Sequence, residues 1–176
     1  MAHKAGYVNI IGNPNVGKST LMNALIGHKL SIITHKAQTT RHRILGILNE
    51  KNYQIVFSDT PGIINPEYEL QESMMDFVYS AFEDADVIIY MIEVGDKGLK
   101  NKSFIERLEN TEVPILLLIN KIDLSEQDFV EKEIERWSLQ LPNVSILPIS
   151  ALNNFNLDII KSKLVEILPI CSPYYD

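Results

Sequence analysis

Gly12-Asn13-Pro14-Asn15-Val16-Gly17-Lys18-Ser19 sets four residues between two glycines and closes on a lysine and a hydroxyl. Glycines at that spacing let successive backbone N–H groups turn inward on an anion. Lys18 adds a mobile cation, and the Ser19 hydroxyl can ligate Mg²⁺. This is a phosphate-binding pattern, and it needs a strand before it and a helix after it. Tyr7-Val8-Asn9-Ile10-Ile11 is a short, mostly apolar, β-branched run, and Thr20-Leu21-Met22-Asn23-Ala24-Leu25-Ile26-Gly27 has helical spacing and a closing glycine. The N-terminus of that helix adds partial positive charge to the cradle, with Thr20 in its first turn. A plain glycine turn beside a solvated lysine would read the same at this one place, so the weight lies downstream.

Three more clusters follow in order. In Asp59-Thr60-Pro61-Gly62 the carboxylate can hold Mg²⁺ through water while the Gly62 N–H meets a terminal phosphate; alone, the same residues make an ordinary turn. In Asn120-Lys121-Ile122-Asp123 the carboxylate can accept from both the N1–H and the N2 amino group of guanine, a donor pair that adenine lacks. Asn120 can bind the purine's other edge, and the Lys121 stem can lie along the base. In Ser150-Ala151-Leu152 the alanine N–H can meet guanine O6. Thr39-Thr40 lies between the first two clusters, where a Mg²⁺-ligating threonine is required; Thr40 is the choice and Thr39 the alternative. Each cluster has a bland reading as a solvated turn, which does not explain their order.

The elements that must position these groups alternate along the chain. Strand-like runs fall at 7–11, 43–48, 53–57, 86–92, 114–119 and 144–149, and helical patterns at 20–27, 70–82, 103–108, 129–141 and 157–168. Glu50-Lys51-Asn52 is short enough for a hairpin, which makes the second and third strands antiparallel. Phe129, Val130, Ile134, Trp137 and Leu141 are expected to face inward from their helix. The fold expected is a three-layer α/β P-loop NTPase (Ras-like) fold. It has a six-stranded, mainly parallel sheet with one antiparallel strand and about five helices. All four clusters then fall at the carboxyl ends of strands, where ligands bind in such sheets.

Composition bounds the partners. The 176 residues suffice for one domain, 45% are hydrophobic and 22% charged, and the formal net charge is −7. An acidic body argues against general nucleic-acid binding. The single Cys171 offers no disulfide framework, and no apolar run reaches the ~18 residues of a membrane span. The basic cluster His35, Lys36, Arg41, His42 and Arg43 reads as a solvated loop or as a contact surface for an acidic partner or RNA.

The order of clusters across residues 12–152 resembles a TRAFAC-class GTPase and, more closely, the GTPase domain of the bacterial Era family. Lys36-Ala37-Gln38-Thr39-Thr40-Arg41-His42-Arg43 is the more specific mark; Der and MnmE resemble it only in the Thr-Arg part. The resemblance implies GTP or GDP with Mg²⁺ held by Ser19, Thr40 and Asp59, and a switch acting in assembly of the small ribosomal subunit. It implies a cytoplasmic protein, with peripheral association at the inner membrane as an option, and a monomeric isolated domain. The family contacts small-subunit rRNA through a C-terminal KH domain. Here residues 1–170 read as the GTPase domain and 171–176 as the start of a linker, with no Gly-x-x-Gly set between two helical segments as in a KH domain.

Two positions bear on the chemistry that the resemblance implies. Where many small GTPases carry a water-orienting glutamine after the Asp-x-x-Gly glycine, this chain has Ile63, so slow hydrolysis is expected. Asn15 matches the asparagine that coordinates K⁺ in potassium-activated relatives, and it also suits a plain turn. Lys18, Thr40, Gly62 and Asn15 are therefore the candidate catalytic set. A GTP-binding regulatory module with negligible hydrolysis, or a related Era-like GTPase of the Der or MnmE type, is the alternative, and Asp123 speaks against an ATPase or kinase.

Overall fold

The apolar runs become strands because both faces of the sheet are covered. In the computed structural model, residues 2–12, 15–27, 43–59, 80, 82–97 and 102–175 are described, with the backbone alone at 43, 45, 59 and 102–104. The strands are β1 (Lys4–Gly12), β2 (Arg43–Glu50), β3 (Tyr53–Asp59), β4 (Val87–Glu93), β5 (Ile115–Asn120) and β6 (Ser145–Pro148). The helices are α1 (Lys18–Ile26), α2 (Lys102–Asn110), α3 (Gln127–Gln140) and α4 (Leu157–Ile167). The helix expected over 70–82 lies outside the described residues, except that 80, 82 and 83 have helical backbone.

The sheet order is β2-β3-β1-β4-β5-β6. Only β2 runs antiparallel, turning into β3 through Lys51-Asn52 with Glu50 opposite Tyr53, as the hairpin expectation requires. Alternate residues of β4 feed two cores. Val87, Ile89 and Met91 join Leu21, Leu25, Ile160 and Leu164 under α1 and α4. Ile88, Tyr90 and Ile92 join Leu108, Trp137 and Leu141 under α2 and α3. A strand buried on both faces is apolar at nearly every position, which is why β4 and β5 read as near-continuous runs until the polar residues Glu93 and Asn120 at their carboxyl ends.

One packing expectation fails. Phe129 is 46% exposed rather than inward. It sits in the first turn of α3, before the helix reaches the sheet, and its ring lies against Gly95 at the strand rim. Burial on α3 begins one residue later at Val130.

The chain after α4 returns to the amino end of the sheet. Ala5 N–H donates to Pro169 O (3.2 Å) and Cys171 N–H to His3 O (3.1 Å). Gln54, fully buried at the start of β3, holds the segment with both ends of its amide. Its Nε2 donates to Tyr175 O (2.8 Å), and its Oε1 accepts from the N–H groups of Tyr174 (2.8 Å) and Tyr175 (3.1 Å). The Tyr174 ring packs on Tyr7 at 4.9 Å between centroids. Among the described residues no helix is long and apolar enough to cross a membrane.

Candidate nucleotide site

Parallel register gathers the candidate residues on one rim. Ile10 lies beside Asp59, Gly12 beside Met91, Glu93 beside Asn120 and Ile119 beside Pro148. Within the sheet, Ser58 Oγ donates to Asn9 Oδ1, tying β3 to β1 just before the rim. Both side chains are buried, so the bond satisfies two groups that would otherwise be costly.

The first cluster turns from β1 into α1 as its glycines require. A Cβ on Gly12 would stand 2.6 Å from Met91 O. Gly17 has φ +105, and a Cβ there would collide with the Asn120 amide nitrogen. Asn15 adopts the left-handed region, φ +67, and is exposed. Helix α1 begins at Lys18 with no side-chain cap and no acidic residue in its first turn, so its leading N–H groups and partial positive charge are left for an anion. Ser19 and Thr20 are exposed at that end. Asn13, Pro14, Thr39, Thr40, Thr60, Pro61, Gly62 and Ile63, and the side chain of Asp59, lie outside the described residues.

Asn120 is the hub. It is 3% exposed, and its Nδ2 donates to Val16 O (2.7 Å) while its Oδ1 accepts from Ala151 N–H (3.0 Å). One side chain thereby joins the loop between β1 and α1, the end of β5 and the loop after β6. Lys121 takes φ +64, and its Nζ donates to Asn15 O (2.7 Å) and Glu93 Oε2 (2.5 Å). Asp123, exposed in the 3₁₀ turn Ile122–Leu124, accepts from Ser150 Oγ (2.7 Å), and the same Oγ accepts from Asn153 N–H (3.3 Å). Ala151 is buried and Leu152 exposed.

The structure thus brings Val16, Gly17, Asn15, Asn120, Lys121, Asp123, Ser150 and Ala151 into one connected rim. Two features were not anticipated from sequence. Ser150 acts through its hydroxyl on Asp123, and the Asn120 amide links loops. Glu93 was missed altogether; its signal is an acid closing an apolar strand at the ligand-binding end of a parallel sheet.

Comparison with known proteins gives the family. Residues 7–121 match the family model described as 50S ribosome-binding GTPase. GTPase Era of Thermoanaerobacter sp. (strain X514) is 42% identical over 176 residues, 99% of this chain and 58% of that protein. GTPase Era of Staphylococcus epidermidis is likewise 42% identical over 174 residues. The chain therefore spans a little over half the length of the curated relatives it matches. Among solved structures, a variant of Aquifex aeolicus Era bound to GDP·AlF4⁻ is 40% identical with TM-score 0.74, over 98% of this chain and 60% of that one. Era in complex with MgGDPNP and nucleotides 1506–1542 of 16S ribosomal RNA is also 40% identical, with TM-score 0.75 over 99% and 60%. A family match that begins in β1 and runs through the Asn120–Lys121 end of β5 leaves one assignment: the chain belongs to the 50S ribosome-binding GTPase family.

Proposed function

We propose that the chain binds GTP and GDP with Mg²⁺ and hydrolyses GTP slowly, as a switch of the kind its similarity to Era suggests. The observation that carries this reading is the buried Asn120 amide, bonded at once to Val16 O and Ala151 N–H. It holds a phosphate cradle and a base-reading carboxylate in fixed relation. Asp123, steadied by Ser150 Oγ, accepts from guanine N1–H and the N2 amino group. The Ala151 N–H turns from Asn120 Oδ1 to guanine O6 or is shared between them. Lys18 and the uncapped N–H groups of α1 bind the phosphates.

The donor set fits Mg²⁺: a hydroxyl from Ser19 at the exposed start of α1, a second from Thr40, and the Asp59 carboxylate at the end of the strand beside β1. When bound, the ion neutralises charge on the phosphate oxygens. Ile63 cannot orient water through its side chain, which supports a slow rate. Asn15 supports a K⁺ ion beside the phosphates, since its side chain is exposed at the loop while its carbonyl is held by Lys121. On this reading residues 1–170 are the GTPase domain and residues 171–176 lead into a linker. The chain is monomeric and cytoplasmic or peripheral at the inner membrane, and its partner is small-subunit rRNA, as the complex of Era with a 16S ribosomal RNA segment suggests.

The test is displacement of a fluorescent GDP analogue by GTP and by ATP, for wild type and Asp123→Asn. GTP should compete far better than ATP, and the variant should gain affinity for xanthosine nucleotides. Equal competition by ATP and GTP in the wild type would reject guanine recognition.

A further inference from the structure

We propose that Glu93 is a positioning residue of the nucleotide site: its carboxylate fixes the Lys121 ammonium, and through it the Asn15 carbonyl of the phosphate loop. This rests on the guanine-nucleotide reading above. A lysine at the end of β5 has four rotatable bonds, and a base-covering stem is useful only if its head is anchored. The anchor is two oxygens, Glu93 Oε2 at 2.5 Å and Asn15 O at 2.7 Å. Asn15 O alone leaves the ammonium charge unmatched and the head free to follow solvent. Glu93 supplies the opposing charge.

Glu93 is itself held from several directions. It pairs with Asn120 across β4 and β5, and Val94 N–H donates to Asn120 O (2.9 Å). The chain then turns sharply, with Asp96 N–H on Glu93 O (3.0 Å) and Gly95 at φ +84, the positive value a type II turn needs at its third residue. Helix α3 grips that turn. Glu133, buried at 7% exposed, accepts from Gly95 N–H (3.3 Å) and Arg136 Nη2 (2.8 Å), and the same Nη2 donates to Asp96 O (2.5 Å). The carboxylate therefore reaches Lys121 from a braced backbone rather than from a loose loop.

The pair is half exposed, so its share of folding stability is small. What it sets is the place of the lysine, and that is a property of the bound state. The experiment is stopped-flow release of a fluorescent GDP analogue from wild type, Glu93→Gln, Glu93→Asp, Lys121→Met and the Glu93→Gln/Lys121→Met double variant, with melting of each nucleotide-free protein. Glu93→Gln should speed release about three- to tenfold, as expected for losing a charge-assisted anchor in a partly solvated place. Its nucleotide-free melting should stay near wild type, Glu93→Asp should recover part of the retention, and the effect of Glu93→Gln should vanish once Lys121 is methionine. An equal effect in both backgrounds would overturn the proposal, as would a Glu93→Gln protein that releases nucleotide like wild type. A wild type that binds no GDP analogue would overturn the nucleotide reading itself, which separates the two failures.

Discussion

Replacing Gly17 by alanine should damage the rim through two separable costs. The first is backbone: φ +105 is a conformation that residues with a Cβ rarely adopt, and holding alanine there costs about 1–3 kcal/mol. The second is displacement. The new methyl collides with the Asn120 amide nitrogen, so the bonds to Val16 O (2.7 Å) and from Ala151 N–H (3.0 Å) cannot both survive. At about 1 kcal/mol per bond the total is roughly 2–5 kcal/mol, a large part of the 5–15 kcal/mol available to a typical domain. Gly95→Ala is the control, because it also has a positive φ (+84) but among the described residues would meet only Phe129, at 4.0 Å. It should show the strain alone. Urea unfolding of the nucleotide-free protein measures both. In an Asn120→Ala background the collision is gone, so Gly17→Ala should there cost only its strain, a coupling of about 1–2 kcal/mol. Additive losses, or a Gly17→Ala no worse than Gly95→Ala, would refute the claim that the amide is the obstacle.

Lys18→Ala should abolish tight binding of a fluorescent GDP analogue yet leave the melting curve of the nucleotide-free protein unchanged, since Lys18 lies outside both hydrophobic cores. GTP hydrolysis in K⁺ against Na⁺ at matched ionic strength should favour K⁺ in the wild type and lose that preference in Asn15→Ala; a wild type indifferent to the cation would leave Asn15 a turn residue. Burial first, and then the hydrogen bond to the Tyr175 hydroxyl, push the Tyr7 phenol above the ordinary tyrosine range, so the folded state holds that proton more tightly than the unfolded chain. The stability this confers is complete below about pH 10 and is lost as pH rises beyond it, so Tyr7→Phe should flatten part of the alkaline fall in urea midpoint between about pH 8 and about pH 11.

What was legible in the sequence is what repeats or what chemistry constrains locally. Runs such as Val87 to Ile92 and Ile115 to Ile119 declare strands covered on both faces, and Lys51-Asn52 declares the hairpin. Two glycines, a lysine and a serine declare a tight strand-to-helix turn of phosphate-binding pattern, and only glycine fits where Gly12 and Gly17 approach their neighbours. Periodicity failed at Phe129, because a residue on the correct face still lies outside the core when its turn of helix begins beyond the sheet. Roles that depend on where one loop meets another stayed hidden. Asn120 carries the right groups for a purine edge, yet its amide is bonded to Val16 and Ala151, partners 104 and 31 residues away. Glu93 reads as a solvated strand end until β5 sets Lys121 beside it.

The segment after α4 also gives the chain a nearly closed path. His3 and Cys171 exchange bonds, from Cys171 N–H to His3 O and between His3 Nδ1 and Cys171 O, so positions 168 residues apart along the chain are neighbours in space. With residues 3 and 171 side by side, the order in which this fold is threaded is separable from the architecture it reaches. A short bridge could join those two positions, and the backbone could be opened instead at Lys51-Asn52, an exposed two-residue tip joined to the sheet's edge strand. The rim that carries the candidate site lies at the other end of the strands from both places. Circular rearrangement would therefore leave the site's own connections uncut.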